Sequence, residues 1–367
     1  MKTRTDIPDD PALPALGAIR SAGLAAALPE MGLDGGPVEL RLCGYTPGAR
    51  ATIEARAGDR HFAVKAYAKN PVREGALYEA LGAAGSAPGS RIRVPPLLAR
   101  NRKLRLLVIG WLEGPSVPRL IRDGRGERAG YVAARWFRQA ASLDLRFGPR
   151  RGAAHALRMA NRGFAVLGAA DSGLGTIARA LSRKLVRTRP RDGPPRLVHG
   201  TLYDRHVLDL GDCTGVIDWQ RFGRGPLEMD AGMFLATTAR IALMHGHLAG
   251  EVAQAEEAFR RGTAGVLDER ALVWHQAAAF LRLASKPVSR AGGERLRARG
   301  ELDPRAAAIS RARTLLDEAA LVAEPVFRDL ERVPGRIRTR FPTLEARPQA
   351  RFETFKDEAE PSTERIK

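Results

Sequence analysis

The chain has 367 residues, of which 44% are hydrophobic and 28% charged, so it can build one large or two modest domains with a substantial core. Its two cysteines are too few for a disulfide framework, which indicates a reducing compartment and predicts a cytoplasmic protein. No apolar run is long enough to span a membrane, and the first ten residues lack the pattern of a secretory signal.

The formal net charge is +19, and the excess of basic residues is concentrated between Arg119 and Arg191. Such an excess can attract nucleic acid, anionic lipid or a phosphorylated small molecule. The arginines are spread through apolar helical patterns and do not form a run interleaved with aromatic residues. Solvated helix faces therefore explain them best, and a nucleic-acid partner is not expected.

The chain begins with a proline-containing lead-in over residues 1–36, followed by a strand-rich part. From Val38 apolar and charged residues alternate, which is the period of a strand. Turn residues at Tyr45–Arg50 and again at Gly58–Arg60 separate this run from two further apolar runs, the last at Phe62–Tyr67. The pattern predicts three consecutive antiparallel strands.

The third predicted strand carries a lysine, Lys65, among apolar residues. An ammonium group is costly there unless it has an anionic partner, although an edge lysine could also reach solvent along its own stem. The next segment, Val72–Leu81, has the spacing of a short amphipathic helix and carries Glu74 and Glu79. Either carboxylate could face Lys65.

Two more apolar runs, Leu97–Ala99 and Leu104–Ile109, predict strands, the second buried on both faces. The sequence changes character at Gly110–Pro115, so we place a domain boundary near Gly114. Residues 37–113 then form an N-terminal lobe and residues 114–334 a helical C-terminal lobe. Residues 335–367, with many charges and few apolar side chains, are expected to be flexible.

Within the C-terminal lobe, helical periodicity alternates with one polar segment. The predicted helices are Tyr131–Leu143, Ala153–Met159, Leu174–Leu185, Ala231–Met244, Glu251–Arg261, Glu269–Leu283 and Pro304–Leu330.

The polar segment contains a predicted β-hairpin. Two short apolar runs, Val207–Leu210 and Gly215–Ile217, flank the turn residues Gly211–Cys213. Because a hairpin brings its two ends together, the polar cluster His199–His206 should lie close to Asp218. We interpret this segment as the functional site.

The order of these elements resembles the aminoglycoside phosphotransferase and choline kinase-like family. The motifs that carry the resemblance are Ala63-Val64-Lys65, Arg73-Glu74-Gly75, His199-Gly200 and Ile217-Asp218-Trp219. The family implies an α+β, two-lobed protein-kinase-like fold with a small antiparallel β-rich N-terminal lobe and a larger helical C-terminal lobe. It also implies that Lys65 holds nucleotide phosphates and pairs with Glu74, and that Asp218 holds Mg²⁺.

The resemblance assigns further positions by their order along the chain. Gly48 corresponds to the loop that covers the phosphates, where it would allow backbone approach. Gly110 and Trp111 correspond to the inter-lobe hinge, whose backbone would bind adenine. Asp230 corresponds to an aspartate that braces the catalytic loop.

The catalytic loop departs from the family pattern at two positions. Thr201 stands where the family has its catalytic aspartate, and His206 stands where it has a metal-binding asparagine. A threonine hydroxyl cannot take a proton at neutral pH, and neutral imidazole matches Mg²⁺ poorly. His199 belongs to the same loop, and Asp204 supplies another carboxylate there, so we include both with Thr201 as catalytic candidates.

The resemblance therefore implies an ATP- or GTP-dependent and Mg²⁺-dependent phosphotransferase that acts on a hydroxyl group. The segment between Asp218 and Asp230 is short, which favours a small-molecule acceptor over a protein. The basic excess is compatible with an anionic or phosphorylated acceptor. The alternative is a catalytically degenerate protein that binds nucleotide or serves as a scaffold, because Thr201 replaces the expected aspartate.

Overall fold

The computed structural model describes residues 7–33, 36–85, 89–291 and 303–331. Residues up to Leu330 form one compact unit, and the chain from Glu331 forms a second unit. The tail predicted to be flexible, residues 335–367, lies outside the described residues. The lobe boundary near Gly114 stays a prediction, because it falls within the first unit.

The described residues form strands in the first third of the unit and mostly helices after it. The strands are β1 (Val38–Thr46), β2 (Arg50–Ala57), β3 (Arg60–Tyr67), β4 (Ile92–Arg93), β5 (Leu97–Asn101), β6 (Leu106–Gly110), β7 (Arg196–Val198), β8 (Val207–Leu210), β9 (Cys213–Val216) and β10 (Gly223–Gly225). The helices are α1 (Pro14–Ala27), α2 (Val72–Gly85), α3 (Val117–Arg122), α4 (Gly126–Ser142), α5 (Ala153–Asn161), α6 (Phe164–Ala170), α7 (Ser172–Arg187), α8 (Leu227–Met244), α9 (Ala249–Thr263), α10 (Glu269–Ala291) and α11 (Pro304–Glu331).

A five-stranded sheet of order β1-β2-β3-β6-β5 builds the N-terminal lobe, and every neighbouring pair is antiparallel. Strand β3 is central, so Lys65 is paired with Thr52 of β2 and Leu107 of β6. The side chain of Lys65 is thereby held on a rigid element. The predicted two-lobed α+β fold is confirmed.

The lead-in segment adds a layer to this sheet. Helix α1 buries Leu16, Ile19 and Leu24 in the same core cluster as Ile53 of β2 and Val64 of β3. The amphipathic pattern of α1 thus covers one face of the sheet, which would otherwise expose apolar side chains to water.

The hairpin β8–β9 is confirmed, with a tighter turn than predicted. Cys213 is the first residue of β9, and it pairs with Leu210. The turn therefore consists of Gly211 and Asp212, and Gly211 has a φ of 75°, which favours glycine. Strand β9 also pairs in parallel with the short strand β4, which the sequence did not predict.

Helices pack around two apolar clusters in the C-terminal lobe. One cluster is centred on α4, α8 and α9, and the other on α5, α7, α10 and α11. Among the described helices, none is long and apolar enough to cross a membrane.

Close packing of α4 on α9 yields a stability prediction. A Cβ on Gly130 of α4 would lie 2.1 Å from the carbonyl oxygen of Ala255, so the helices could not keep their present distance. We expect Gly130→Ala to lower the free energy of unfolding by roughly 1–3 kcal/mol, measured by urea denaturation. A matched control is Gly17→Ala in α1, where no atom lies within 4 Å, and which should raise that free energy by about 0.5–1 kcal/mol. Equal effects of the two substitutions would contradict this prediction.

Candidate active site

A cleft of 650 Å³ lies between the five-stranded sheet and the β8–β9 hairpin. It is lined by residues from the β1–β2 hairpin, from β3, from the end of β6 and from the polar segment of the C-terminal lobe. The predicted residues that line it are Lys65, Gly110, Trp111, His206 and Asp218. The fold thus brings together side chains that are more than a hundred positions apart in sequence.

Lys65 forms the centre of the cleft. Its ammonium Nζ lies 2.6 Å from Oε1 of Glu74 on α2 and 3.6 Å from Oδ1 of Asp218. Lys65 and Glu74 are 3% and 6% exposed, so both charges are removed from water. Glu79 instead lies near Arg100 on the surface, which identifies Glu74 as the partner of Lys65.

Electrostatics hold these groups in their charged forms. Burial alone would lower the pKa of Lys65, but the neighbouring groups Tyr67, Tyr78, Glu74 and Asp218 outweigh it and together raise that pKa well above its usual value. Burial likewise opposes ionisation of Asp218, but the Lys65 ammonium lowers the pKa of Asp218 to about 2. At neutral pH the cleft therefore presents an ionised carboxylate beside a buried ammonium.

Asp218 has an unusual backbone conformation. Its φ of 68° and ψ of 55° place it in the left-handed region, which non-glycine residues rarely adopt. It directly follows β9, and the side chain of the next residue, Trp219, is fully buried. This packing fixes the turn and directs the Asp218 carboxylate into the cleft.

The loop that begins at His199 is held by a buried aspartate from α8. The carboxylate of Asp230 accepts hydrogen bonds from the backbone N–H groups of His199 and Gly200. Burial raises the pKa of Asp230 to about 7, although these donors favour its ionised form. The His199 ring lies in the interior and its Nε2 is 2.9 Å from the carbonyl oxygen of Ile217, so it ties the loop to the residue that follows β9. This contact can position the loop, and the catalytic role of His199 stays a prediction.

Of the two departures from the family pattern, His206 lines the cleft, whereas Thr201 is not among the lining residues. His206 Nε2 lies 3.6 Å from Oδ2 of Asp218, and burial lowers the pKa of His206 to about 3, so its ring is neutral. Thr201 is 9% exposed, and its hydroxyl has no hydrogen-bond partner among the residues that the structure describes. Neither side chain can act as a strong base.

Asp204 does not reach the cleft. Its carboxylate is 4% exposed and accepts the backbone N–H of Arg205 at 2.8 Å, while its own N–H donates to the Thr237 hydroxyl of α8. Burial raises its pKa. Asp204 is not among the residues that line the cleft, and its catalytic role stays a prediction.

Gly48 is also absent from the cleft lining. It adopts a φ of 66° in the β1–β2 turn, and its N–H donates to Oδ2 of Asp10 at 2.7 Å. The hydroxyl of Tyr45 donates to the same oxygen at 3.0 Å. The lead-in segment therefore braces this turn from outside, and Arg50, at the end of the turn, lines the cleft together with Tyr45 and Thr46.

At the hinge, the backbone N–H groups of the two predicted residues are already engaged. Gly110 donates to the carbonyl oxygen of Pro96 at 2.8 Å, and Trp111 donates to that of His61 at 3.1 Å. The Trp111 ring stacks on His61 with 4.4 Å between ring centroids. Within the described part of the chain, the next N–H, that of Leu112, has no partner, and Leu112 lines the cleft.

Among the cleft residues that sequence reasoning did not single out, three carry groups that could bind a ligand. Arg50 and Arg205 add two positive charges to that of Lys65, and Leu112 offers the hinge N–H. Arg205 lies in the loop that was singled out, 4.4 Å above the Tyr203 ring. Its position next to His206 was the only available signal, because arginine is common throughout this chain.

A metal site in this cleft would have few protein ligands. In the described ranges, no three His, Cys, Asp or Glu side chains converge as a metal-binding group. Asp218 fits Mg²⁺, which is bound through one or two carboxylates together with phosphate and water oxygens. His206 faces the same space but offers nitrogen, which suits Mg²⁺ less well.

Comparisons with known proteins agree with this geometry. The fold and cleft are those of a two-lobed kinase-like protein. A sequence model of the phosphotransferase enzyme family matches residues 54–266, which is more than half of the chain. The chain belongs to this family. In a separate search, no curated protein sequence gave a significant match.

Solved structures with the same fold include three kinases. A choline/ethanolamine kinase family protein from Mesorhizobium loti has a TM-score of 0.57 and 19% identity, over 84% of this chain and 97% of that one. Choline kinase from Streptococcus pneumoniae has a TM-score of 0.51 and 10% identity, over 79% and 97%. Spectinomycin phosphotransferase, solved with ADP and spectinomycin, has a TM-score of 0.51 and 9% identity, over 78% and 93%. At these sequence identities, the similarity to the three solved structures establishes the fold alone.

The buried histidines predict how stability depends on pH. Burial lowers the pKa values of His199, His206 and His275 to about 4, 3 and 3. Between pH 6.5 and 5 the unfolded chain therefore binds protons that the folded chain does not. We expect these three histidines to make the free energy of unfolding, measured without nucleotide, fall as the pH falls in this range, by up to ~1.4 kcal/mol per unit for each histidine. Asp230 and Glu256, whose pKa values burial raises to about 7, oppose this trend.

Urea denaturation at several pH values measures this slope. His275→Phe should reduce this slope by the contribution of one histidine. His247→Phe, at an exposed position, should leave the slope unchanged. A slope that His275→Phe does not alter would count against neutral burial of this ring.

Proposed function

We propose that this protein is a nucleotide-dependent phosphotransferase that uses ATP or GTP and Mg²⁺ to phosphorylate a hydroxyl group of a small molecule. The observation that carries the proposal is the buried Lys65 ammonium between Glu74 and Asp218, at the wall of a 650 Å³ cleft. A cation held on a rigid strand beside a metal-type carboxylate suits the triphosphate of a nucleotide.

The cleft can orient a nucleotide from both ends. The free N–H of Leu112 is a donor for a ring nitrogen of the base, and the apolar side chains of Ala63 and Ile109 line the same end. Lys65, Arg50 and Arg205 lie toward the phosphate end. Their positive charges would offset the negative charge of the triphosphate in a water-poor cleft.

Asp218 would hold Mg²⁺, with His206 as the second protein group that faces the metal. The metal, when bound, neutralises charge on the phosphate oxygens. The protein keeps Asp218 ionised through Lys65 and fixes its direction through the left-handed backbone. Because His206 is a weak ligand for Mg²⁺, affinity for the metal should depend mainly on Asp218 and the nucleotide.

The phosphoryl transfer does not require a protein group that accepts the hydroxyl proton. The acceptor oxygen forms a bond to the γ-phosphorus, the bond from that phosphorus to the bridging oxygen breaks, and the nucleoside diphosphate leaves. The hydroxyl proton passes to a phosphoryl oxygen or to water, since Thr201 cannot take it at neutral pH. Phosphoryl transfer depends mostly on positioning and charge stabilisation, so such an enzyme is slow rather than inactive.

A catalytically degenerate nucleotide-binding protein is the second candidate. Thr201 and His206 favour it, because both replace groups that the family uses in catalysis. The two candidates share the nucleotide cleft and differ only in whether transfer takes place.

Nucleotide binding is tested by thermal shift with Mg-ATP, Mg-GTP and Mg²⁺ alone. We expect at least one Mg-nucleotide to raise the melting temperature of the wild type, and Asp218→Ala to lose this increase because its metal contact is gone. Asp212→Ala, in the exposed turn of the same hairpin, is the matched control and should respond like the wild type. Full nucleotide binding or ATP turnover by Asp218→Ala would contradict the assignment.

Catalysis is tested by restoring the carboxylate at position 201. If transfer is limited by the missing base, Thr201→Asp should increase the rate of nucleotide turnover by ~10²–10⁴-fold. The readout is release of nucleoside diphosphate, with Thr201→Asn as the control because it has similar size and cannot accept the proton. Measurable turnover by the wild type supports the enzyme, whereas a wild type that is inert while Thr201→Asp is active supports the degenerate protein.

A further inference from the structure

On the other side of the catalytic loop lies a group of arginines with few partners. Arg151 precedes α5, Arg158 is on α5, and Arg282 is on α10. In the described residues, no carboxylate lies within ion-pair distance of these three guanidinium groups. This contrasts with Arg128, which pairs with Asp209 at 2.6 Å.

Two of these guanidinium groups are partly removed from water. Burial, together with repulsion from neighbouring arginines that include Arg221, lowers the pKa values of Arg151 and Arg282, although attraction to the Asp230 carboxylate opposes this. Buried charges in proteins are ordinarily paired, because an unpaired one loses its hydration without compensation. The cluster is therefore a candidate site for an anion that binds from outside the chain.

The backbone makes room for Arg151 beside the catalytic loop. A Cβ on Gly200 would lie 3.4 Å from Nε of Arg151, and a Cβ on Gly223 would lie 2.7 Å from the same atom. The Arg151 side chain thus passes between two glycines, one of which adjoins Thr201. Its Nε donates to the carbonyl oxygen of Phe222, and its terminal nitrogen donates to His155 Nε2 at 2.7 Å.

A narrow slot leads from the loop to these arginines. It is lined by Gly200, His155, His275 and Arg282, with methionines on its apolar side. At His155 it adjoins a wider cavity of 190 Å³, which is lined by Arg151, Arg158 and the carboxylate residue Asp192, whereas Arg282 lines only the slot. The slot itself measures 20 Å³ and holds no more than a small group, so a larger ligand would occupy the wider cavity.

His275 provides an independent sign of a ligand. Its ring is 3% exposed, and its Nδ1 is buried without a hydrogen-bond partner within the described part of the chain. A buried polar atom in this condition costs free energy unless a water or a ligand satisfies it. Because His275 lines the slot, we expect the hydrogen-bond partner of its Nδ1 to lie in the slot.

We propose that the acceptor of this phosphotransferase is itself a phosphorylated small molecule, whose phosphate binds among Arg151, Arg158 and Arg282 beside His155. The hydroxyl to be phosphorylated then points along the slot toward Gly200 and Thr201. Three guanidinium groups near the His155 ring favour a doubly charged phosphate over a singly charged carboxylate. This assignment rests on the proposed phosphotransferase function, since it concerns the acceptor of that reaction.

Calorimetric titration with inorganic phosphate tests the assignment. The titration is made on the chain saturated with Mg²⁺ and the non-hydrolysable ATP analogue AMP-PNP, so that the nucleotide phosphate positions are filled. We expect wild type to bind phosphate, and Arg282→Met and Arg158→Met each to weaken this binding by ~10-fold or more, the loss expected for a charged hydrogen bond. Arg183→Met, at an exposed position of α7, removes the same charge and should bind like wild type.

The outcomes separate the two proposals. If AMP-PNP binds but phosphate does not, or if all variants bind phosphate equally, the acceptor assignment is wrong and the nucleotide site stands. Acetate that binds as tightly as phosphate also overturns it. Failure of AMP-PNP to bind would remove the phosphotransferase function and the acceptor assignment together. Arg158 is exposed, so Arg158→Met keeps the test decisive even if Arg282→Met does not fold.

Discussion

The burial of one ammonium group is the constraint on which the cleft depends. Lys65 is on the central strand of the sheet, and it keeps its charge because Glu74 comes from the following helix and Asp218 from the other lobe. Removing either carboxylate would leave a buried charge without full compensation, which is far more costly than losing a surface ion pair. The same three side chains thus hold the two lobes close together, keep Asp218 ionised and fix the position of the Lys65 ammonium.

The sequence alone predicted those elements of the fold that depend on neighbouring residues. Alternation with a period of two predicted β1 to β3, and turn residues predicted the β8–β9 hairpin, because both features depend on neighbouring residues. Strand β4 could not be predicted, since its two residues pair in parallel with β9, about 120 positions away. The role of the lead-in was also invisible, because the contact of Asp10 with the β1–β2 turn depends on the sheet being already folded.

The candidate site shows the same difference between features that depend on neighbouring residues and features that depend on long-range contacts. Lys65, Glu74 and Asp218 lie within recognisable motifs, and the structure brings them together. Asp204 shows the limit of spacing as a guide: it is in the right loop, yet it is buried and is not among the residues that line the cleft. The arginine cluster shows a different limit. Arg151 and Arg282 are far apart in sequence in a chain that contains 60 basic residues, so only their shared lack of carboxylate partners in the folded chain distinguishes them.

The brace between Asp10 and the β1–β2 turn changes which kind of group would face the phosphates of the proposed nucleotide. The N–H of Gly48 is already taken, and the turn offers the guanidinium of Arg50 instead. Any sequence that adopts this turn can make a contact through its backbone N–H, whereas a side-chain contact depends on the residue at one position. Affinity for the proposed nucleotide can therefore be adjusted in small steps by substitution at position 50, while the shape of the turn stays the same.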